Sequence, residues 1–434
     1  MARILFATLG SLGDLHPVLA LALELRGRGH RVAIATSEFY RDKILAFGLG
    51  FHPLPPDISP ADETLVRRLM DGRRGSTWLL RDLMLPATAT MYAALAAAAA
   101  DADLLVASEL VYAAPILAAK TGLPWVTYAL APISIFSVHD PSLLPGPWGT
   151  HRLQSLGPAA NRLLLAAARL YTRGWWKPVR ALRRAQGLPP GDNPLFAGKW
   201  SPHLNLALFS PVLQAPQPDW PARMQQTGFA FHDETTPGAG VPALPTPVTD
   251  FLAAGDPLLV FTLGSAAVHL AGDFYVESAR AAQALGRRAL LLLGSNPPPP
   301  GCPPTVLAWD YLPYAQIFPL AAAIIHQGGV GTTAQALRAG RPMLVVPFAH
   351  DQPDNAARVT RLGAARTLPR HRYTAPRVAR ELAALLADPA AAARSARLGE
   401  RIRAETGTAA ACDALEALLR SGKNAVSDRA RGPA

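Results

Sequence analysis

Two stretches of this 434-residue chain have the residue types and spacing that chemistry on a phosphorylated ligand would need. In the second half, His326 comes directly before a glycine-rich turn containing Gly328, Gly329 and Gly331, and Thr332 follows that turn. Glycines let a backbone approach a ligand closely, and a helix N-terminus presents unpaired N–H groups and the positive end of its dipole. The pattern therefore predicts an anion site, most naturally for phosphates.

Glycines alone would equally suit a plain tight turn between a strand and a helix. Polar residues beside the turn change this balance: His326 follows a predicted strand (322–325), and Asp351 and Gln352 follow the next one (343–346). In an open α/β sheet both positions face the ligand crevice at the carboxyl ends of the strands. The sequence thus favours a ligand site over a purely structural turn.

The other stretch is a glycine turn near the start of the chain, with the sequence Gly10-Ser11-Leu12-Gly13-Asp14. In chain order this is called here the first glycine turn, and the turn with Gly328, Gly329 and Gly331 is called the second glycine turn. The first glycine turn follows a predicted strand (3–8), and Pro17 suits the first position of the helix that comes next. Asp14 could cap that helix, serve as a chemically active carboxylate, or do both. His16 is a second candidate for the active group.

Strand and helix patterns alternate through both halves, which predicts parallel, doubly wound sheets. Residues 211–250 are rich in proline and glycine, so the boundary between the halves should lie there. The predicted fold is α/β, with two Rossmann-like domains facing across a cleft. The expected ranges are 1–215 for the first domain, 216–250 for the linker, 251–405 for the second domain, 406–420 for a C-terminal helix (part of a helical stretch 389–420) that could pack back on the first domain, and 421–434 for a frayed tail.

Composition narrows the functions that are open to the chain. Half of the residues are hydrophobic and 17% are charged, which excludes wholesale disorder. The net charge of +11 comes from arginines spread along the chain, without zinc-finger spacing, an RNP-like aromatic string or a basic arm, so a nucleic-acid partner is not expected. A basic surface would suit phosphorylated substrates or loose contact with anionic lipid, although a GC-rich genome would also raise the arginine content.

Cysteine usage and hydropathy bear on the compartment. Cys302 and Cys412 form neither a disulfide framework nor a CxxC metal pair, which fits a reducing environment. The N-terminal apolar run breaks at Gly10 without a cleavage site, and no window reaches the length of a membrane span. We expect a soluble, cytoplasmic protein with no transmembrane segment.

Four segments resemble a known family. They are GSLGDLHP with its helix ending RGRGH, VFTLGS, the segment around Trp309, and HQGGVGTTAQALRAGRPMLVVPFAHDQPDNA. The chain resembles the nucleotide-sugar-dependent glycosyltransferases of the family that includes UDP-glucuronosyl-, macrolide and glycopeptide glycosyltransferases, with their two-Rossmann GT-B architecture. Within that family, GSxGD and FTLGSAAVHLAGDFY look most like the bacterial rhamnosyltransferases of rhamnolipid synthesis, and next like sterol and glycopeptide enzymes.

The resemblance implies a role for each motif, and a nucleotide-sugar co-substrate (dTDP- or UDP-sugar) without any cofactor or metal. Asp351 and Gln352 would bind hydroxyls of the donor sugar. The residues implied in nucleotide binding are Trp309, stacked on the base; Leu307, whose backbone would bond the base edge; His326, Gly328, Gly329, Gly331 and Thr332, around the diphosphate; and Ser265, on a facing loop.

Direct displacement with inversion needs one general base for the acceptor hydroxyl. Many family members carry a His at the first glycine turn, whereas the matching residue here is Asp14, which we favour over His16 as the catalytic base. Family members that use UDP-sugars usually carry a Glu on the helix after the second turn, and here Gln335 stands at that place. A neutral amide accepts hydrogen bonds from a ribose diol less well than a carboxylate, so Gln335 favours a dTDP-sugar such as dTDP-L-rhamnose.

The acceptor is expected to be a hydrophobic molecule with a hydroxyl group, bound in the first domain. The apolar residues that could line its pocket, each of which could instead pack in the core, are Trp78, Met84, Phe136, Val138, Leu143, Leu144 and Trp148.

Other functions remain open on the same residues. A UDP-glucose-dependent enzyme or a non-catalytic auxiliary homologue fits the same architecture, although an auxiliary protein typically loses the His and the Asp that correspond to His326 and Asp351. An epimerase would need acid and base groups on both faces of the sugar, which the sequence does not indicate. A dinucleotide oxidoreductase is disfavoured because neither turn is GxGxxG with an acidic residue about 20 positions later.

Overall fold

The computed structural model describes residues 1–59, 62–143, 155–233 and 243–430. The strands are β1 (Arg3–Ala7), β2 (Arg31–Thr36), β3 (Gly50–Pro53), β4 (Leu104–Ser108), β5 (Trp125–Ala129), β6 (Leu204–Ala207), β7 (Met224–Gln226), β8 (Leu258–Thr262), β9 (Ala289–Leu292), β10 (Val306–Trp309), β11 (Ala321–His326), β12 (Met343–Val345) and β13 (Ala365–Thr367). The helices are α1 (Leu12–Gly27), α2 (Arg41–Ala46), α3 (Glu63–Leu69), α4 (Gly75–Thr77), α5 (Thr88–Ala98), α6 (Ala114–Thr121), α7 (Pro158–Tyr171), α8 (Lys177–Ala185), α9 (Thr246–Ala253), α10 (Gly264–Ala267), α11 (Phe274–Ala284), α12 (Tyr314–Ile317), α13 (Val330–Ala339), α14 (Gln352–Arg361), α15 (Ala375–Leu386), α16 (Pro389–Arg403) and α17 (Gly407–Ala430).

Each domain is built on one parallel sheet. The first sheet has seven strands in the order β3-β2-β1-β4-β5-β6-β7, and the second has six in the order β10-β9-β8-β11-β12-β13. The strand order reverses between β1 and β4 in the first sheet and between β8 and β11 in the second. Ligands of doubly wound sheets bind outside the carboxyl ends of the strands at such reversal points, so the fold marks one candidate site in each domain.

The central strands are mostly apolar and buried, as expected where helices cover both faces of a parallel sheet. Every residue of β5 and of β8 is buried, for example. The predicted α/β fold with two doubly wound parallel sheets is confirmed. Hydrophobic burial on both sides fixes the strands and leaves the turns at their carboxyl ends to carry polar residues.

Several boundaries differ from the sequence-based expectations. The range predicted as a linker (216–250) contains β7, which pairs in parallel with β6, and the start of α9. The helical stretch predicted for 389–420 consists of two helices, α16 and α17, and α17 continues to Ala430 through part of the range predicted to be frayed. Short strands with little periodicity, such as β7, carry too few residues to be recognised from pattern alone.

The C-terminal helix α17 crosses back to the first domain and packs on α1. The Sγ of Cys412 lies 3.7 Å from the carbonyl oxygen of Leu21, and a guanidinium nitrogen of Arg28 lies 3.1 Å from a carboxylate oxygen of Glu416. This helix therefore ties the two ends of the chain together. Among the described residues, none of the helices combines the length and the apolar character that crossing a bilayer requires.

Candidate active site

The two glycine turns face each other across the cleft. A β-carbon built on Gly331, in the turn before α13, would lie 3.8 Å from the Cα of Gly13, in the turn before α1. The turn after β8 joins them, because a β-carbon built on Gly264 would lie 3.2 Å from Oγ1 of Thr332. The N-termini of α1 and α13 and the Ser265 turn therefore converge at the reversal points of the two sheets.

His326 ends β11 and is completely buried. Its Nδ1 accepts a hydrogen bond of 3.0 Å from the backbone N–H of Gly328, while Nε2 has no hydrogen-bond partner within the described part of the chain. Burial lowers the pKa of His326 to about 3, so the ring is neutral at physiological pH. With Nδ1 acting as acceptor, the proton of the neutral ring sits on Nε2, and this N–H is a buried donor that no acceptor in the described part of the chain engages.

This tautomer can be tested directly by nitrogen NMR of the 15N-histidine-labelled protein. Between pH 5 and 8, His326 should show one protonated and one unprotonated ring nitrogen, with no titration, because its pKa is about 3. An imidazolium signal for His326 at pH 6 would contradict the buried neutral donor described here. The exposed His371 is the internal reference for assigning the ring-nitrogen signals.

Asp351, together with Asn355, holds the second glycine turn through hydrogen bonds. Its Oδ2 accepts hydrogen bonds from the backbone N–H of Val330, the first residue of α13, at 2.9 Å and from Nδ2 of Asn355 at 2.7 Å. The same Asn355 nitrogen donates to the carbonyl of Gly328 at 2.9 Å. Burial raises the pKa of Asp351 to about 7, and the charge of Asp14 across the cleft acts in the same direction.

Gln352 is buried and is held by its own loop. Its Oε1 accepts from the backbone N–H groups of Phe348 at 2.8 Å and of Ala349 at 3.1 Å. A sugar hydroxyl would therefore have to bind Gln352 through Nε2. The predicted pair of sugar-binding residues is thus positioned rigidly, with one carboxylate and one amide beside the N-terminus of α13.

Trp309 and Leu307 lie on β10, at the edge of the second sheet. The carbonyl of Trp309 accepts from the backbone N–H of Leu293 at 2.8 Å, which fixes the end of the strand. Both side chains are half-buried. Because an edge strand leaves alternate backbone groups pointing away from the sheet, this strand can offer hydrogen bonds to a flat ligand that stacks beside it.

Asp14 is the third residue of α1, so the helix begins at Leu12, five residues before the predicted start at Pro17. Its Oδ2 accepts from the backbone N–H of Ser11 at 2.7 Å, and Ser11 caps the helix in return by accepting from Gly13 at 3.2 Å. A β-carbon on Gly10, whose φ is +137°, would lie 2.2 Å from Oδ2 of Asp14. Only glycine at that position leaves room for the carboxylate.

The environment of Asp14 makes it a better base than an ordinary carboxylate. Burial raises the pKa of Asp14 to about 6, against hydrogen bonds from Ser11 that lower it, and the charge of Glu109 also raises it. Near neutral pH the group is still ionised, but its affinity for a proton is higher than that of an exposed Asp.

His16 lies on a different side of α1. Two residues along a helix correspond to a rotation of about 200°, so His16 and Asp14 point in nearly opposite directions. The ring of His16 packs edge-on against that of His232 with 5.3 Å between centroids, and His232 packs against Phe47. The structure thus packs His16 against the segment that joins the domains, on the side of α1 away from Asp14.

Comparison with known proteins agrees with this geometry. Residues 4–123 match the family model "Glycosyltransferase family 28 N-terminal domain", and residues 295–418 match "Erythromycin biosynthesis protein CIII-like, C-terminal domain". The O-mycaminosyltylonolide 6-deoxyallosyltransferase of Streptomyces fradiae is 35% identical over 428 residues, covering 95% of this chain and 97% of that protein. The chain belongs to the GT-B glycosyltransferases.

Solved structures show the same fold. The glycosyltransferase of kitacinnamycin superposes with a TM-score of 0.73 at 24% identity, covering 96% of this chain and 99% of that one. The spinosyn rhamnosyltransferase SpnG, complexed with thymidine diphosphate, superposes with a TM-score of 0.65 at 18% identity, covering 96% of this chain and all of that one. The predicted family and enzyme class are confirmed.

In this glycosyltransferase, Gln335 does not stand alone on α13. Its Oε1 accepts from Arg338 at 2.8 Å, and its Nε2 lies 3.4 Å from a carboxylate oxygen of Asp233. Arg338 pairs with the same carboxylate, at 3.0 Å through Nη1, and its guanidinium lies over the ring of Phe231. A carboxylate therefore does lie beside Gln335, but it comes from the segment that joins the domains.

The residues predicted to line the acceptor pocket divide into groups. Met84 has no exposed surface and packs in the hydrophobic core, so it does not line a pocket. Val138 is buried as well. Trp78 and Phe136 are half-buried, and the ring of Phe136 packs at a tilt against that of Phe196, with 5.1 Å between the centroids. The described Leu143 is half-buried too. Leu144 and Trp148 lie outside the described residues.

Sequence reasoning missed two polar groups near the site. Glu109, after β4 at the reversal point of the first sheet, forms an ion pair with the buried Lys199, whose ammonium also donates to the carbonyl of Ser134 at 2.8 Å. Asn355, which clamps the second glycine turn, lies one helical turn after Asp351. The four-residue spacing of Asn355 from Asp351 could have indicated that the two side chains meet on one face of a helix. Glu109 and Lys199 are 90 residues apart, so no sequence pattern could have indicated their ion pair.

A third group that the sequence did not reveal joins the domains of the glycosyltransferase. Arg358 on α14 is buried and donates to Asp354 at 2.8 Å and to Asp140, in the first domain, at 2.6 Å. Asp354 in turn accepts from the backbone N–H of Leu143 at 2.8 Å. This cluster fixes the loop 138–143 of the first domain against the helix whose N-terminus carries Asp351 and Gln352.

Proposed function

We propose that the chain transfers a 6-deoxyhexosyl group, such as L-rhamnosyl, from a dTDP-sugar to a hydroxyl of a hydrophobic natural product, with inversion at the anomeric carbon. The observation that carries the proposal is the apposition of the two glycine turns, which is so close that a β-carbon built on Gly331 would be in van der Waals range of the Cα of Gly13. It brings Asp14 of one domain and the donors of the other into a single cleft.

In the proposed mechanism, the nucleoside diphosphate lies at the N-terminus of α13. The Nε2–H of His326 and the backbone N–H groups of the second glycine turn bind the diphosphate and stabilise the charge that develops as it leaves. Asp351 and Gln352 hold the sugar. Asp14 takes the proton of the acceptor hydroxyl while its oxygen attacks the anomeric carbon, and a single displacement inverts that carbon. No step of this scheme uses a metal, so activity should survive addition of EDTA.

Two features support a dTDP-sugar. Gln335 is a weaker acceptor for a ribose diol than a carboxylate, and its oxygen is already engaged by Arg338. In addition, the 35% identical relative from Streptomyces fradiae is named for transfer of a 6-deoxyallosyl group, and the SpnG structure contains thymidine diphosphate. A 6-deoxyhexosyl donor is the sugar class common to these names.

A UDP-sugar is the alternative that one observation favours. The carboxylate of Asp233 lies 3.4 Å from Gln335 and could accept from a ribose diol in place of the missing Glu. In that case the chain would be a UDP-glucose-dependent glucosyltransferase that acts on a natural product or a sterol.

Calorimetric titration with dTDP and UDP distinguishes the two donors. We expect dTDP to bind about tenfold more tightly or better, a difference that one unfavourable hydroxyl contact can produce. Replacement of Asp233 by Asn should then leave dTDP binding unchanged. A preference for UDP that disappears in Asp233→Asn would establish the alternative donor.

The acceptor and the activity itself are tested by incubating the protein with dTDP- and UDP-sugars and a set of hydrophobic acceptors, followed by mass spectrometry of the products. Release of nucleoside diphosphate together with a product heavier by one deoxyhexosyl group is the expected result. Binding of nucleotide without any release, by a folded protein, would point to a non-catalytic homologue. We further propose that the enzyme acts in the cytoplasm, which fits its free Cys302 and Cys412.

A further inference from the structure

Helix α7 of the first domain presents an apolar stripe to solvent. Leu163 and Leu170 are 74% and 69% exposed, and they lie seven residues apart, so they share one face of the helix. Leu156, just before the helix, is 67% exposed, and Tyr171 at its end is 69% exposed. These four residues, called here the leucine stripe, make up four of the nine large hydrophobic side chains that are exposed in the described chain.

The opposite face of α7 is anchored to the domain. Asn161 is buried, and its Nδ2 donates to the carbonyl of Val138 at 2.9 Å. Asn161 and Leu163 are two residues apart, which places them on nearly opposite sides of the helix. The stripe therefore points away from the protein because the helix is fixed by its other face.

The chain segment that carries the leucine stripe has charges of one sign. Residues 155–191 contain seven Lys or Arg and no Asp or Glu, so this segment contributes +7 to the net charge of +11. Among the residues of α7, α8 and the turn between them, the exposed basic side chains are Arg162, Arg169, Arg173, Lys177 and Arg184. Two tryptophans, Trp175 and Trp176, are half-buried in the same turn.

We propose that the leucine stripe and its basic surround form a docking surface for an anionic lipid bilayer. Exposed leucines flanked by Arg and Lys, with aromatic residues at the boundary, are the features of a helix that lies in the plane of a membrane interface. The absence of acidic residues from 155–191 disfavours a basic partner and complements the negative surface of anionic lipids. The surface lies beside the loop 138–143, so docking would bring the acceptor half of the proposed cleft next to the phase in which hydrophobic acceptors dissolve.

Vesicle sedimentation with the full chain tests the proposal. The protein should sediment with vesicles of phosphatidylcholine and phosphatidylglycerol at low salt, much less at high salt, and not with phosphatidylcholine alone. Leu163→Ser combined with Leu170→Ser should weaken binding about tenfold for each leucine. The matched control, Leu45→Ser with Leu320→Ser, removes two leucines of the other surfaces, which are 48% and 47% exposed, and should bind like the unmodified protein.

A second pair of variants tests the charge. Arg162→Gln with Arg173→Gln should weaken vesicle binding about fivefold for each arginine and reduce its dependence on salt. Arg377→Gln with Arg397→Gln, two exposed positions of the second domain, should have no such effect. Circular dichroism and a dTDP or UDP titration of each variant establish that the fold and the donor domain are intact.

Three results would overturn the proposal. The first is failure of the unmodified protein to sediment with anionic vesicles at low salt, and the second is equal binding by the leucine variant and its control. The third is a dimer in sedimentation velocity that the leucine variant abolishes, because this would assign the stripe to a second copy of the chain. Vesicle binding requires neither donor nor acceptor. Its failure would therefore leave the proposed transfer reaction untouched, and an inactive protein could still bind vesicles.

Discussion

Replacement of Asp14 by Asn is expected to lower kcat by two to four orders of magnitude, the range that loss of a general base typically produces, on the order of 10²–10⁴. Asn retains an oxygen that can accept the hydrogen bond of 2.7 Å from Ser11, so the start of α1 should stay intact. The donor contacts lie in the other domain. Nucleotide affinity, measured by calorimetry, should therefore change little while turnover collapses.

The pH dependence of the unmodified enzyme provides a second measure of this residue. Because burial raises the pKa of Asp14 to about 6, kcat/KM should rise with pH through that value and level off above it. Asp351, whose pKa burial raises to about 7, interacts with Asp14, so the observed limb belongs to the pair. An Asp14→Asn variant that keeps full activity and the same acid limb would remove Asp14 from the mechanism.

Stability adds a third, independent readout for Asp14. Its pKa is 3.8 when unperturbed and about 6 in the folded protein, so the unfolded chain releases this proton first. The free energy of unfolding therefore loses a contribution as pH rises from about 4 to about 6, and the loss persists at higher pH. Asp14→Asn lacks this loss, and above pH 6 it should be at least as stable as the unmodified protein. His16→Gln, on the other side of α1, is the matched control. It should retain both the acid limb of kcat/KM and the loss of stability between about pH 4 and 6.

Replacement of Arg358 by Met is expected to destabilise the protein by about 3–5 kcal/mol, the cost of removing one partner from a buried ion cluster. Arg358 is 2% exposed, and its loss would leave Asp354, also 2% exposed, and the carboxylate of Asp140 without their cation. The measurement is the free energy of unfolding by urea, with circular dichroism as the probe.

The pH dependence of this effect distinguishes charge from packing. Burial already raises the pKa of Asp354, and removal of Arg358 should raise it further. Protonation would then relieve the buried charge, so the stability gap between the variant and the unmodified protein should narrow as pH falls. Arg361→Gln is the matched control: its side chain is 62% exposed and lies 3.2 Å from Asp140, so we expect a cost of less than about 1 kcal/mol. Equal costs for the two variants would show that the buried cluster adds nothing.

Local patterns were sufficient for the fold and for the motifs around each glycine turn. Strands such as β8 and β11 are long apolar runs, and the glycines, His326 and Asp351 stand next to them in sequence, so their placement at the strand ends followed from strand direction alone. Short elements were less accessible. The strand β7 has three residues, and α1 begins at a Ser11 cap that the more familiar signal of Pro17 obscured.

The acceptor side could not be predicted residue by residue. An apolar side chain suits a core and a pocket equally well, and only packing decides which one it occupies. Met84 is enclosed by the core, whereas Trp78 keeps part of its surface. The significance of Gln335 also changed, because the sequence showed a missing carboxylate and the structure brings Asp233 beside it from about 100 residues away.

The sequence by itself determined the two parallel-sheet domains and the family, and it predicted an anion site at the second glycine turn, since each depends on residues that are close along the chain. Tertiary structure alone decided which groups share the cleft. The charge of Asp14 raises the pKa of Asp351, and Asp140 and Arg358 form an ion pair across the domains, although 218 residues separate the latter pair. Such contacts depend on how two independently folded sheets pack together, and no local pattern in the sequence encodes that packing.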